Sequence, residues 1–247
     1  KMHLWKDRYQ LIVNREKSYQ PVSLLNWIIR KISRVLNRFA LNWIVKKELH
    51  PREEPFVVFP LHISPEASIL STDPELADQF WLIKNISMNL PYGVKLYVKQ
   101  HPYEDLGAGL NYDFYSKVAS LPNVRIFDRK SSMQELINHP SFLAIALLSG
   151  HAAIEAALKS KPVFIFGTSY LSIADCFIKP KDFFDFFHKL RLIMEGKFEF
   201  NQVALNAILG ALDMSVVKAD VDMSSHDNVT GAASQLPPIW KAFVESL

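Results

Sequence analysis

The chain has 247 residues, 49% hydrophobic and 21% charged, with a formal net charge of +3, enough for one large core plus attachments. Its one cysteine, Cys176, excludes an internal disulfide and argues against a cysteine-built metal site. No apolar run approaches the roughly 20 residues that cross a bilayer, and Lys1-Met2-His3 lacks the charged-then-apolar pattern of a signal peptide. It does not look like a natural start either, so the expectation is an excised piece of a longer protein.

The charge is unevenly spread. Residues 1–50 hold 11 Lys/Arg and 3 Asp/Glu, which leaves 17 basic and 22 acidic residues for the rest. From Val22 to Lys47, Trp27, Ile28, Ile32, Val35, Leu36, Phe39, Trp43 and Ile44 recur at three- and four-residue steps, predicting a helix with a broad apolar stripe. Arg30, Lys31, Arg34 and Arg38 lie beside the stripe. Such a helix packs on a neighbouring domain or lies on an anionic membrane surface. Without a recognisable nucleic-acid motif, nucleic acid is not an expected partner. His50 to Pro55, with two prolines and a charge run, reads as a linker.

Strand and helix patterns then alternate. Phe56 to Pro60 predicts a buried strand, and Asp73-Pro74 predicts the cap of a helix reaching about Asn89. Lys95 to Lys99 is a strand, Asp113 to Ser120 a helix and Val124 to Phe127 a strand. Ser131 or Ser132 caps a helix to Asn138, followed by strand Phe142 to Leu148, helix Ala152 to Lys159 and strand Pro162 to Phe166. The repetition predicts an α/β fold, a Rossmann-like doubly wound parallel sheet preceded by the basic helical segment. Beyond Gly167, Phe183, Phe184, Phe186 and Phe187 read as helical core, and Asn201 to Leu212 as a helix. The expected organisation is 1–50 as a helical connector, 51–215 as the Rossmann-like domain, and 216–247 as a loop and closing helix.

Chemistry is expected where strands end. His101-Pro102 follows a strand, and a histidine there can donate to phosphate oxygens or act as a general acid. Lys99 adds a positive charge beside it. Ser149-Gly150-His151 marks a strand-to-helix turn, where Gly150 admits close approach of a ligand to the backbone. Glu155, one turn on, can accept from ribose hydroxyls, and Ser131 and Ser132 join the candidate donor contacts. Glu66 lies in the loop after the first strand, where a carboxylate can act as nucleophile, base or orienting group. His62, in the same loop, reads equally as a site residue or a turn residue. No GxGxxG, Walker A or Gly-x-Ser-x-Gly sequence occurs, and no cluster has metal-ligand spacing.

Read together, Phe59-Pro60-Leu61-His62 with Pro65-Glu66, Leu96 to Pro102, Phe114-Tyr115, Leu121 to Val124, Ser149 to Ala156, and Lys161-Pro162-Val163 to Phe166-Gly167 form an ordered set. It resembles the bacterial capsule polysaccharide biosynthesis family, which includes Kdo transferases of capsule export systems. The resemblance implies one half of a GT-B fold, the carboxyl-terminal donor-binding domain of a glycosyltransferase. It matches His101-Pro102 to a motif contacting the nucleotide phosphate, Ser149 to Glu155 to a second nucleotide-binding turn, and Glu66 to an active-site loop carboxylate.

The implied activity is transfer of a sugar from a nucleotide-activated donor, CMP-Kdo-like or another, to a surface polysaccharide or lipid-linked acceptor. No cofactor or metal is expected. The implied partners are the nucleotide sugar, a glycan or glycolipid acceptor, and an amino-terminal GT-B domain outside this sequence. The implied location is the cytoplasm, with 22–47 at the inner face of the membrane. Two other readings use the same residues: a non-catalytic nucleotide-sugar-binding scaffold module, and a nucleotide-sugar epimerase.

Overall fold

The computed structural model describes residues 47–62, 76, 78–102 and 112–215. The described strands are β1 (Lys47–Glu48), β2 (Phe56–Pro60), β3 (Lys95–Lys99), β4 (Val124–Phe127), β5 (Phe142–Leu147) and β6 (Val163–Ile165). The described α-helices are α1 (Gln79–Met88), α2 (Tyr112–Ala119), α3 (Met133–Asn138), α4 (His151–Ala157), α5 (Phe183–Met194) and α6 (Gln202–Ser215). The strands form one sheet in the order β1-β4-β3-β2-β5-β6, and each neighbouring pair is parallel. This is the expected Rossmann-like α/β arrangement.

Burial on both faces explains why the strands read as continuous apolar runs rather than alternating ones. Val57, Phe59, Leu96, Val98, Ile126, Ala144, Ala146 and Phe164 meet Leu82, Ile83 and Ile86 of α1, Tyr115 and Val118 of α2, and Phe186 and Leu190 of α5. Phe56, Val58, Tyr97, Phe127, Ile145, Leu147, Val163 and Ile165 meet Leu136 and Ile137 of α3, Ala153, Ala156 and Ala157 of α4, and Leu205 and Ile208 of α6. On this second face an aromatic row crosses four strands. Phe56 stacks on Tyr97 at 4.1 Å, Tyr97 stacks on Phe127 at 4.4 Å, and Phe142 meets Phe56 edge-on at 5.9 Å. Such pairs add about 0.5–1.5 kcal/mol each beyond their buried area. A register shift lets the row include β5: Phe56 pairs with Phe142 but Val57 with Ala144, so Leu143 is passed over and Phe142 stays on the aromatic side.

Local signals set the helix ends. Asp78 caps α1, its carboxylate accepting from the N–H groups of Phe80 and Trp81. This cap stands later than the expected Asp73-Pro74, which lies outside the described residues. Ser132 caps α3 through Glu135 N–H, and Asp182 caps α5 through Asp185 N–H. At the end of α5, Gly196 sits at φ +70°, with its N–H on Ile193 O and Lys197 N–H on Leu192 O, a Schellman closure. Within α5, Phe186 is fully buried and Phe183 and Phe187 half-buried, as expected of core, whereas Phe184 is 70% exposed.

The stretch read as helix end and linker differs. The predicted helix lies outside the described residues except for Lys47, which is in a strand: Lys47–Glu48 pairs with Ile126 and Phe127 and covers the edge of β4. The following residues are tied to β3, β4 and α3. Arg125 holds Glu54 through two bonds, one from Nε and one from Nη2 at 2.9 Å. Tyr97 Oη donates to Glu54 at 3.1 Å and accepts from Arg52 N–H at 3.3 Å, while His50 bonds Glu135 at 2.8 Å. The expected tail, 216–247, lies outside the described residues.

The Arg125 guanidinium hydrogen-bonded to Glu54 holds its carboxyl below the usual glutamate range, against a smaller opposing effect of burial. Burial first, then the Glu54 charge, push the Tyr97 phenol up to about 12. A depressed carboxyl stabilises the fold above its unfolded pKa, and that contribution is lost as pH falls through the folded pKa. Glu54→Gln is expected to cost about 1–3 kcal/mol near neutrality. In urea unfolding, the gap between variant and wild type should close on acidification below the ordinary glutamate range; a gap independent of pH would disprove the ion pair's role.

Candidate functional site

Because the strands are parallel, their carboxyl ends form one rim. Main-chain bonds extend the ladder just past it: Leu61 N–H donates to Lys99 O at 2.8 Å, Gln100 N–H to Phe127 O at 3.0 Å and Phe166 N–H to Leu147 O at 2.9 Å. The strand order reverses between β2 and β5. From β2 the chain passes to α1 on one face, and from β5 to α4 on the other. The helices that follow these two strands lie on opposite faces, so this is the switch point at which open α/β sheets form a ligand-binding crevice.

Two residues meet across that crevice. Gly150, the residue before α4, has φ +116°, a conformation that L side chains rarely adopt. A Cβ placed there would lie 3.9 Å from Cε1 of His62, the second residue after β2. His62 is itself anchored. Its N–H donates to Gln79 Oε1 at 2.9 Å, and its carbonyl accepts from Gln79 Nε2 at 3.1 Å. Gln79 opens α1 and is only 4% exposed. Ser149 is half-buried and His151 exposed on the β5 side.

The other expected residues are distributed along the rim. Lys99 ends β3 and is 4% exposed, and its ammonium donates to Gln100 O at 3.2 Å and Arg129 O at 3.3 Å. Burial lowers its pKa, partly opposed by the Asp128 charge. The side chain is thus engaged in fastening the ends of β3 and β4. His101 follows, half-buried, and Pro102 is exposed. Ser131 is buried, with Oγ donating to Asp128 O at 2.7 Å, and the Ser132 hydroxyl caps α3. Glu155 accepts from Gln134 Nε2 at 3.1 Å, joining α4 to α3. These three hydroxyl and carboxyl groups have local structural partners. Glu66 lies outside the described residues.

The structure therefore brings Ser149, Gly150 and His151 to the crevice, with His62 opposite, and sets Lys99 and His101 on the adjoining strand end. Gln79 carries no sequence signal, because it falls inside the helix expected from Asp73-Pro74 and its partner is 17 positions away. Among the described residues, no group of three or more His, Cys, Asp or Glu is placed to hold a metal ion, and no helix is long and apolar enough to cross a membrane.

Solved structures with a similar fold include two Thermosulfurimonas dismutans KpsC structures. Its β-Kdo 2,4 transferase has 19% sequence identity and a TM-score of 0.37, covering 54% of this chain and 44% of that one. Its β-Kdo 2,7 transferase has 15% identity and a TM-score of 0.40, covering 84% and 68%. A putative UDP-N-acetylglucosamine 2-epimerase from Listeria monocytogenes has 13% identity and a TM-score of 0.41, covering 70% and 49%. The chain thus spans less than half of the first of these structures. Comparison with curated protein sequences finds no match. The family model described as capsule polysaccharide biosynthesis protein matches residues 7–175, which take in β1 to β6 and both sides of the crevice, and the chain belongs to that family.

Proposed function

We propose that this chain is the donor-binding half of a GT-B glycosyltransferase, which transfers a sugar from a nucleotide-activated donor to a growing surface polysaccharide or lipid-linked acceptor. The observation that carries the reading is the switch point where the strand order reverses, with the Gly150 turn on the β5 side and the His62 ring facing it from the β2 side. Membership of the capsule polysaccharide family supports the class of product.

In this reading the nucleotide lies along the carboxyl rim, its phosphate beside Ser149-Gly150 and His101. An acceptor hydroxyl attacks the anomeric carbon, the bond from that carbon to the phosphate oxygen breaks, and the nucleotide leaves with the bonding electrons. Glu66 takes the acceptor proton, and His101 donates to the leaving phosphate. Lys99 contributes by fixing the ends of β3 and β4, and no metal is called for. A second GT-B domain supplies the acceptor site, and the enzyme works on the cytoplasmic side of the membrane, with its basic amino-terminal segment toward the lipid-linked acceptor.

The test is a thermal-shift and calorimetric panel of CMP, UDP, GDP and their sugars. One nucleotide class is expected to stabilise the chain, by about 2.7 kcal/mol at one hundred times its Kd, and His101→Ala to weaken it. Failure of every nucleotide at saturating concentration would overturn the reading. Nucleotide binding combined with no transfer after an acceptor domain is supplied would favour the scaffold module instead.

Gly150→Val should abolish nucleotide binding at a stability cost of about 1–3 kcal/mol, the strain of placing a side chain in a backbone region that is essentially glycine's alone. Full affinity in this variant would show that the ligand does not use the β5–α4 turn.

A further inference from the structure

The loop after β2 is held in an unusual way. Its main chain has left the sheet by His62, yet both polar groups of the His62 backbone are satisfied by one side chain, Gln79, at 2.9 and 3.1 Å. That amide is 4% exposed, so leaving either partner unmatched would carry a desolvation cost. The bonds fix the direction in which His62 leaves the rim, and its ring stands over Gly150 with Nε2 buried. The two residues that face each other across the crevice are thus positioned by different devices: Gly150 by its backbone conformation, His62 by a buried amide from the next helix.

We propose that Gln79 is a positioning residue, holding the His62 imidazole over Gly150 as the β2-side contact for the phosphate-bearing ligand. The proposal rests on the nucleotide-sugar reading above and adds residues that this reading does not use. A neutral primary amide is suited to the task because it presents one acceptor to the His62 N–H and one donor to the His62 carbonyl. Glutamate keeps only the acceptor, and leucine keeps neither. His62→Ala leaves both Gln79 bonds available, since they engage the main chain, but removes the group they position.

That separation supplies the test. The affinity of the nucleotide selected by the panel is measured by calorimetry on wild type, His62→Ala, Gln79→Leu, Gln79→Glu and the double variant His62→Ala/Gln79→Leu. Each is assayed well below its melting temperature, with far-ultraviolet circular dichroism to verify folding. His62→Ala and Gln79→Leu should each weaken binding by about tenfold or more, the worth of one hydrogen bond to a charged group, with Gln79→Glu intermediate.

The double variant should bind no more weakly than the weaker single, because Gln79 has nothing left to position. Losses that multiply would show that Gln79 acts on general stability, and unchanged affinity in either single variant would overturn the proposal. If Gln79→Leu does not fold, the same comparison is made with Gln79→Glu in both backgrounds. No nucleotide binding by the wild type overturns the parent reading and this proposal together, whereas wild-type binding that is indifferent to His62 overturns this proposal alone.

Discussion

A parallel sheet covered on both faces leaves little room for chemistry except at its ends, and this constraint organises the molecule. Five strands give nearly every side chain to one of two buried clusters. The carboxyl rim is the end where the backbone leaves the ladder and polar groups emerge. Order reversal decides where on the rim a ligand can enter. At the ends of β3 and β4 the Lys99 ammonium bonds the Gln100 and Arg129 carbonyls. Between β2 and β5 the connections part to opposite faces. There the strand order also reverses.

The opposite end of the sheet is closed by charge and aromatic contact. Tyr97 lies in the stacked row on the second face, yet its hydroxyl reaches Glu54 and the Arg52 N–H. Arg125, the register partner of Tyr97 on β4, binds the same carboxylate. The pre-β2 segment is thereby locked to the middle of the sheet, which fixes where β2 begins and so where it ends. Sheet edges are protected by short additions: β1 along β4, and the backbone bridge from Phe164 to Ile178 along β6. Both additions are too brief to carry a strand signal of their own.

Much of the architecture was legible because its causes are local. Lys95–Lys99 and Val124–Phe127 are apolar runs between turn residues, and the strands occupy those spans. The rim position of His101 follows from where Lys95–Lys99 stops, and the Ser149-Gly150 turn from where Phe142–Leu147 stops. What was not legible depends on pairings distant in sequence. Lys47–Glu48 continues an amphipathic pattern and becomes a strand only because β4 offers an edge. Ser131, Ser132 and Glu155 look like ligand contacts by type and place, but Asp128, the α3 backbone and Gln134 engage them. Lys99 reads as a strand-end cation for a phosphate, whereas its chain is buried and its head fastens two carbonyls.

Lys99 also shows how such a rim differs from a purely structural one. A leucine at the same position would avoid desolvating an ammonium, the dominant influence lowering this lysine's pKa. It would, however, leave the Gln100 and Arg129 carbonyls without the donors they now have. Both carbonyls lie just past strand ends, where the ladder no longer supplies N–H groups. Satisfying them from a side chain allows the backbone to turn away from the sheet without an unmatched polar group. Gln79 performs the equivalent task for His62 after β2, with a neutral amide where both a donor and an acceptor are needed. The ends of β2 and β3 are thus each held by a buried polar side chain that bonds main-chain groups just past the strand.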